Sequence, residues 1–244
     1  MSELTRFNRQ IMLQEVMNKG QDALKKTKVT LVGLGGLGCP AALYLTYAGI
    51  GNICLIDKDE VDLSNLNRQT LYYVEDIGKK KVLSAKKKLL KVNPEVHIET
   101  IIEELNDTNA TKLLTGSDVV LDCLDNLPSK LALNRACFKL GLPFVHGAVY
   151  GFDGQVSLFI PGKTPCLECY LKLALKDNRT NRPFPVIGTT PGLIGIMQAL
   201  EVIKYILQLE SPMKGNVFIL KTLSFEQFKL KIKKNDLCTT CMDL

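Results

Sequence analysis

Residues 28–32, Lys-Val-Thr-Leu-Val, form a short β-branched run that stops at Gly33, and the pattern predicts a strand entering a glycine-rich turn. Ahead of it, apolar positions at Ile11, Met12, Val16 and Leu24 predict one helix over residues 6–24. Small apolar residues from Cys39 to Ala48 suit a helix packed closely on a sheet, with Gly49 and Gly51 ending it. Residues 52–57 predict a second strand, and a lysine-rich helix follows over 79–92. Strands are predicted at 96–101 and 118–122, the latter buried because Val119, Val120 and Leu121 run in succession. A helix over 129–140 and a strand over 143–149 complete the alternation of a doubly wound, mostly parallel α/β sheet. Beyond Gly151 the spacing changes. Strands are predicted at 155–160 and 217–223, with a helix over 192–208 between them, so the sheet continues into a C-terminal part of different topology. Residues 172–187 carry Pro183 and Pro185 among Lys172, Lys176, Arg179 and Arg182 and read as a mobile surface segment.

Composition narrows the picture only slightly. The 244 residues are 46% hydrophobic and 23% charged, enough for one large α/β domain with a sizeable core. No apolar run reaches the roughly 18 residues that span a bilayer, and no apolar stretch of signal-peptide type follows Met1. A cytoplasmic protein without a membrane partner is expected. The net charge of +6 is spread over helix faces such as Lys86–Lys88, a solvated face rather than a nucleic-acid patch. It would still attract nucleotides and an acidic protein.

Residues 33–38, Gly-Leu-Gly-Gly-Leu-Gly, match GxGxxG between a strand and a helix, the Rossmann-like arrangement in which the backbone approaches a phosphate at a helix N-terminus. Asp57 closes the next strand, where a carboxylate can accept hydrogen bonds from ribose hydroxyls. An NAD-dependent dehydrogenase would share both features. The following stretch, Leu63-Ser64-Asn65-Leu66-Asn67-Arg68-Gln69, separates the two, because an arginine flanked by amides suits a polyphosphate. Lys81 opens the next helix, and Asp125-Asn126 follows the fourth strand, where a carboxylate near phosphates is a natural magnesium ligand. Taken singly, Arg68 and Lys81 could be surface charges and Asp125 a helix cap. Together they point to Mg-ATP.

Eight cysteines are present. Cys39, Cys54, Cys123 and Cys137 stand alone in apolar surroundings and read as core residues. Cys166/Cys169 and Cys238/Cys241 form two CxxC pairs, whose four thiolates would complete a closed, structural zinc site; a redox role is the alternative. Of the two histidines, His97 is expected to be exposed and His146 to be a satisfied core residue.

The chain resembles the MoeB/ThiF/HesA family, the prokaryotic relatives of ubiquitin-activating enzymes. The resemblance rests on Arg6-Phe7-Asn8-Arg9-Gln10, the turn 33–38, Asp57, Leu63–Gln69, Lys81, Asp122–Asn126, the run 195–201 and both CxxC pairs. It implies ATP-dependent adenylation of the C-terminal Gly-Gly carboxylate of a ubiquitin-like sulfur-carrier protein of the MoaD/ThiS kind, with release of pyrophosphate. By the resemblance, Gly36, Asp57, Ser64, Asn65, Leu66, Asn67, Arg68 and Lys81 contact the nucleotide, and Asp125, with Asn126 beside it, holds Mg2+. Arg9 would reach the active site of a neighbouring subunit, which requires a homodimer. Residues 1–244 would form one domain, with a nucleotide-binding half (1–150) and a carrier- and zinc-binding half (151–244). Many relatives carry a cysteine in the mobile segment; here Asn181 stands near that position, which implies transfer of the adenylate to an external sulfur donor such as a cysteine desulfurase. With three residues after Cys241, no rhodanese-type domain is expected, and sulfur is expected to come from another protein. An enzyme adenylating a peptide or tRNA-linked carboxylate, and a non-catalytic scaffold subunit, remain alternatives.

Overall fold

The computed structural model describes residues 6–174 and 185–242. Two short helices, α1 (Asn8–Ile11) and α2 (Met17–Lys26), precede β1 (Lys28–Val32). Then come α3 (Gly38–Ala48), β2 (Asn52–Ile56), α4 (Lys81–Val92) and β3 (His97–Ile101). α5 (Ala110–Leu114), β4 (Val119–Asp122), α6 (Leu127–Leu140) and β5 (Phe144–Tyr150) complete the nucleotide-side half. β6 (Asp153–Phe159), α7 (Leu167–Ala174), α8 (Thr189–Ile206), β7 (Asn216–Lys221) and β8 (Glu226–Lys231) follow.

The strands form an eight-stranded sheet in the order β3-β2-β1-β4-β5-β6-β7-β8. Pairing is parallel from β3 to β5 and antiparallel from β5 to β8. The predicted α/β class, with its change of topology after residue 150, is therefore observed. Strand order reverses at β1, which lies between β2 and β4. Ligands bind at that switch point, beyond the C-terminal strand ends.

Alternate residues of the central strands feed opposite cores. Leu31 and Leu55 join Leu34, Leu45 and Ile194 on one face. Val32 and Ile56 join Phe138, Phe144 and Phe159 on the other. α3 lies close to the sheet because Gly38, Cys39, Ala41 and Ala42 are small and buried. α8 crosses it where Gly195 meets the Leu37 carbonyl: an added Cβ would lie 2.3 Å from that oxygen.

Three sequence expectations change. The single helix over 6–24 is two helices, since residues 12–15 are exposed and Met17 turns the chain at φ 46°. Phe7, Val16 and Leu24 are buried, but Met12 and Leu13 between the first two are exposed, so no continuous stripe extends one helix. β8 went unpredicted although Phe228 and Leu230 alternate with Lys229 and Lys231; it is an edge strand exposed along its whole length. Of the segment 172–187, residues 175–184, including Asn181, lie outside the described residues, and Pro185–Ile187 runs along Gly151 through backbone hydrogen bonds.

Gly195→Ala should force α3 and α8 apart and cost about 1–3 kcal/mol. Gly192→Ala, in open space on the same helix, should be neutral or stabilising by up to about 1 kcal/mol. Thermal unfolding of the two variants checks the contrast.

Candidate functional site

The glycine turn is shaped by close approaches. Gly33 sits at φ +93°, and an added Cβ would lie 2.6 Å from the Cys123 carbonyl oxygen. At Gly38 a Cβ would lie 2.0 Å from the Gly33 oxygen. Both positions need glycine. The turn is pinned on two sides: Leu34 N–H donates to Asp57 Oδ2 (2.7 Å), and the Tyr72 hydroxyl donates to the Leu34 carbonyl (3.0 Å). Asp57, directly after β2, thus braces the turn. Burial pushes its carboxyl up, while Lys81 and two backbone N–H groups pull the other way. Gly36 faces Pro191, at the start of α8, and Arg68; an added Cβ would lie 3.0 Å from Pro191 Cβ.

The 63–69 stretch is a short 3-10 turn capped by Asp62, whose carboxylate accepts from Ser64 N–H while Asn65 Oδ1 accepts from Asp62 N–H. Leu66 packs into the core and anchors the stretch. Ser64 and Asn67 are exposed. The Arg68 guanidinium folds back onto the Ser64 carbonyl (2.8 Å) and Asn67 Oδ1 (2.9 Å). Lys81 is buried at the N-terminus of α4, with Nζ 3.0 Å from Asp59 Oδ2. Asp59 in turn donates its N–H to Asp57 Oδ1 (2.8 Å). Asp125 is exposed on the loop leaving β4. The cap of α6 is Asn126, whose Oδ1 accepts from Ser129 N–H (2.9 Å), so the helix-cap alternative for Asp125 falls away. The structure therefore gathers Gly36, Asp57, Arg68, Lys81 and the Asp125 loop at adjoining strand ends.

Arg9 stands apart. Phe7 packs under Gly49, and the Gln10 amide donates to the Ala48 carbonyl, so α1 is tied to the far end of α3 from the turn. That separation is about 16 Å.

Behind the Asp125 loop lies a polar cluster that sequence reading missed. Asp122, fully buried at the end of β4, receives Lys130 Nζ at 3.0 Å on both oxygens. His146 Nδ1 lies 2.6 Å from Asp122 Oδ2. Burial opposes ionisation of Asp122, but Lys130 and His146 outweigh it and hold its carboxyl below the ordinary range. Burial, then Lys130, push His146 below its usual value, which keeps it neutral. A polar residue inside the apolar strand 143–149 was the available signal.

The two CxxC pairs converge as expected. Cys166 Sγ lies 3.4 Å from Cys238 Sγ, and Cys169 Sγ 3.5 Å from Cys241 Sγ; all four sulfurs fall within 4.8 Å of one another. Four buried thiol groups at this spacing fit a closed tetrahedral zinc site. Glu168 ties the loops together, accepting from Thr240 Oγ1 (2.8 Å) and Arg135 Nη1 (2.9 Å). The four single cysteines are buried, and burial raises the Cys39 thiol to about 12 and Cys54 to about 11. His97 is exposed, as expected. Among the described residues no helix is long and apolar enough to cross a membrane.

The ThiF family matches residues 7–240. A sulfur carrier protein adenylyltransferase of Thermus thermophilus is 37% identical over 99% of this chain and 92% of its own length. A molybdopterin-synthase adenylyltransferase of Escherichia coli is 38% identical over 98% of this chain and 96% of its own. Among solved structures, E. coli MccB with MccA-N7isoASN superposes with a TM-score of 0.89 at 25% identity, covering all of this chain and 76% of MccB.

Stripping zinc from the cysteine cluster should lower the thermal midpoint by several degrees, read by unfolding with and without a strong chelator. An unchanged midpoint in protein shown to have lost zinc would reject the structural role. His146 should also make stability pH-dependent. Its folded-state value lies below 6.5, so its contribution is present above pH 6.5 and lost as pH falls through the folded value. Denaturant unfolding at stepped pH should show that loss in wild type and a flatter profile in His146→Asn.

Proposed function

The chain belongs to the ThiF family, and from that premise we propose that it adenylates the C-terminal Gly-Gly carboxylate of a ubiquitin-like sulfur-carrier protein with Mg-ATP. The observation that carries this reading is the gathering of Gly36, Asp57, Arg68, Lys81 and the Asp125 loop around one switch point. The attacking carboxylate is ionised at neutral pH, so no general base is needed. The site's task is to bring two anions into line and offset the charge that develops on the α-phosphate.

Each residue has a role in that task. Gly36 leaves room for the phosphates and Asp57 takes the ribose. Ser64, Asn65, Asn67 and Arg68 line the polyphosphate, with Leu66 as their anchor. Lys81 exchanges Asp59 for phosphate oxygens. Asp125, an exposed carboxylate beside this cradle, suits a hard divalent cation such as magnesium, which would neutralise the departing pyrophosphate. The three charged residues also argue against a scaffold subunit without activity.

The finer assignments follow. Arg9 acts on the site of a second copy in a homodimer; exposed Met12, Leu13, Tyr44 and Tyr47 support an apolar contact on that side. Residues 1–150 bind the nucleotide, and 151–244 receive the carrier and hold zinc. Exposed Tyr150, Phe152, Leu223 and Phe225 offer the carrier an apolar face. A cysteine desulfurase is the kind of donor that would convert the adenylate to a thiocarboxylate.

Arg68→Ala, Lys81→Ala and Asp125→Ala should each lower carrier-dependent ATP–pyrophosphate exchange by about 100-fold or more. Undiminished exchange in all three would reject the proposal.

A further inference from the structure

The cluster behind the Asp125 loop is a continuous chain of donors and acceptors. The Tyr170 hydroxyl donates to Gln155 Oε1 (2.9 Å). Gln155 Nε2 lies 3.3 Å from His146 Nε2, and His146 Nδ1 lies 2.6 Å from Asp122 Oδ2. One protonation pattern satisfies every member: neutral His146 with its proton on Nδ1, accepting from Gln155 at Nε2. Lys130 supplies the charge that Asp122 requires and donates also to the Gly147 carbonyl (2.9 Å).

Asp122 spends its remaining capacity on the loop. Its Oδ1 accepts from Leu124 N–H (3.1 Å), the residue before Asp125. The Asp122 carbonyl accepts from Gln198 Nε2 (2.9 Å), and Cys123 N–H donates to the Val32 carbonyl (2.9 Å). At the other end, Asn126 caps α6, and Lys130 N–H donates to the Asn126 carbonyl (3.2 Å). Residues 122–126 are therefore held at both ends by groups that meet at the Lys130–Asp122 pair. Asp125 alone in that span is exposed.

We infer that Lys130 and His146 are positioning residues, which act through Asp122 to fix the loop geometry that presents Asp125 to the nucleotide-bound divalent cation. A buried ion pair is a poor source of net stability compared with apolar packing of the same volume. Its return here is order in a loop only a few residues long, at the one place where a carboxylate must meet a cation at a defined distance. Metal-liganding carboxylates depend on such outer partners for affinity, commonly by 10–100-fold.

This inference rests on the magnesium role given to Asp125 above, and its test does not require the carrier. Binding of a fluorescent ATP analogue is titrated with Mg2+ and, separately, measured in EDTA. In Lys130→Met and His146→Leu the Mg2+ midpoint should rise by about 10-fold, while affinity in EDTA stays within about two-fold of wild type. His146→Asn, whose amide can replace the Nδ1 donor, should restore the wild-type midpoint. A purely structural role would reduce the fraction of protein that binds and leave the midpoint in place. Should Lys130→Met fail to fold, the His146→Leu and His146→Asn pair decides the question. An unmoved midpoint in His146→Leu, an equal loss of affinity in EDTA, or wild-type binding without magnesium dependence would overturn the inference. Wild type that binds Mg-ATP with the predicted variant pattern, yet shows no carrier-dependent exchange, would instead retire the proposed reaction and leave this inference standing.

Discussion

The ion pair between Lys130 and Asp122 fixes the exit of β4 and the loop that carries Asp125. Two charges buried at 3.0 Å attract strongly, but both have been removed from water, and the balance is close. Removing one partner strands the other, at a typical cost of about 3–5 kcal/mol. The pair is therefore better understood as a constraint than as glue. It fixes where β4 ends, how the chain leaves it, and where α6 begins. The Gly33 turn rests on that exit, because its backbone touches the Cys123 carbonyl where no side chain would fit.

Around this fixed corner the two cations proposed to meet the nucleotide are held by neighbouring oxygens. Lys81 rests on Asp59, and Arg68 rests on the Ser64 carbonyl and Asn67. Under the proposed function, phosphate oxygens would replace these partners with little chain ordering. Preorganised charge of this kind is the main lever available when no proton must be moved. The cysteine cluster performs a different service. It ties the tail after β8 to α7, and Tyr170 links α7, through Gln155 and His146, to the same Asp122.

Much of this was legible in the sequence. The parallel half follows from apolar strands and small-residue helices, which bury both faces and leave an unambiguous pattern. The glycine turn, Asp57 and the Asp125 loop follow predictable strands and Lys81 opens a predictable helix, so their places at the strand ends were legible, whereas Arg68 was picked out only by its amide-flanked stretch. The CxxC pairs announce themselves by spacing. The N-terminal arm misled because exposed Met12 and Leu13 break the stripe between buried Phe7 and Val16, and β8, exposed on both faces, was passed over despite alternating Phe228 and Leu230 with lysines. Lys130 and Asp59 look like surface charges in a lysine- and acid-rich chain. Only long-range contacts, such as His146 with Asp122 across neighbouring strands, reveal what they hold.

AMP transfer to a carrier's C-terminal carboxylate can be read by intact mass spectrometry of a Gly-Gly-ended ubiquitin-fold protein mixed with this enzyme and Mg-ATP. The carrier should gain one adenylyl group, with one pyrophosphate released for each adduct. Release of ADP and orthophosphate, or AMP attached to the enzyme with the carrier unchanged, would contradict it.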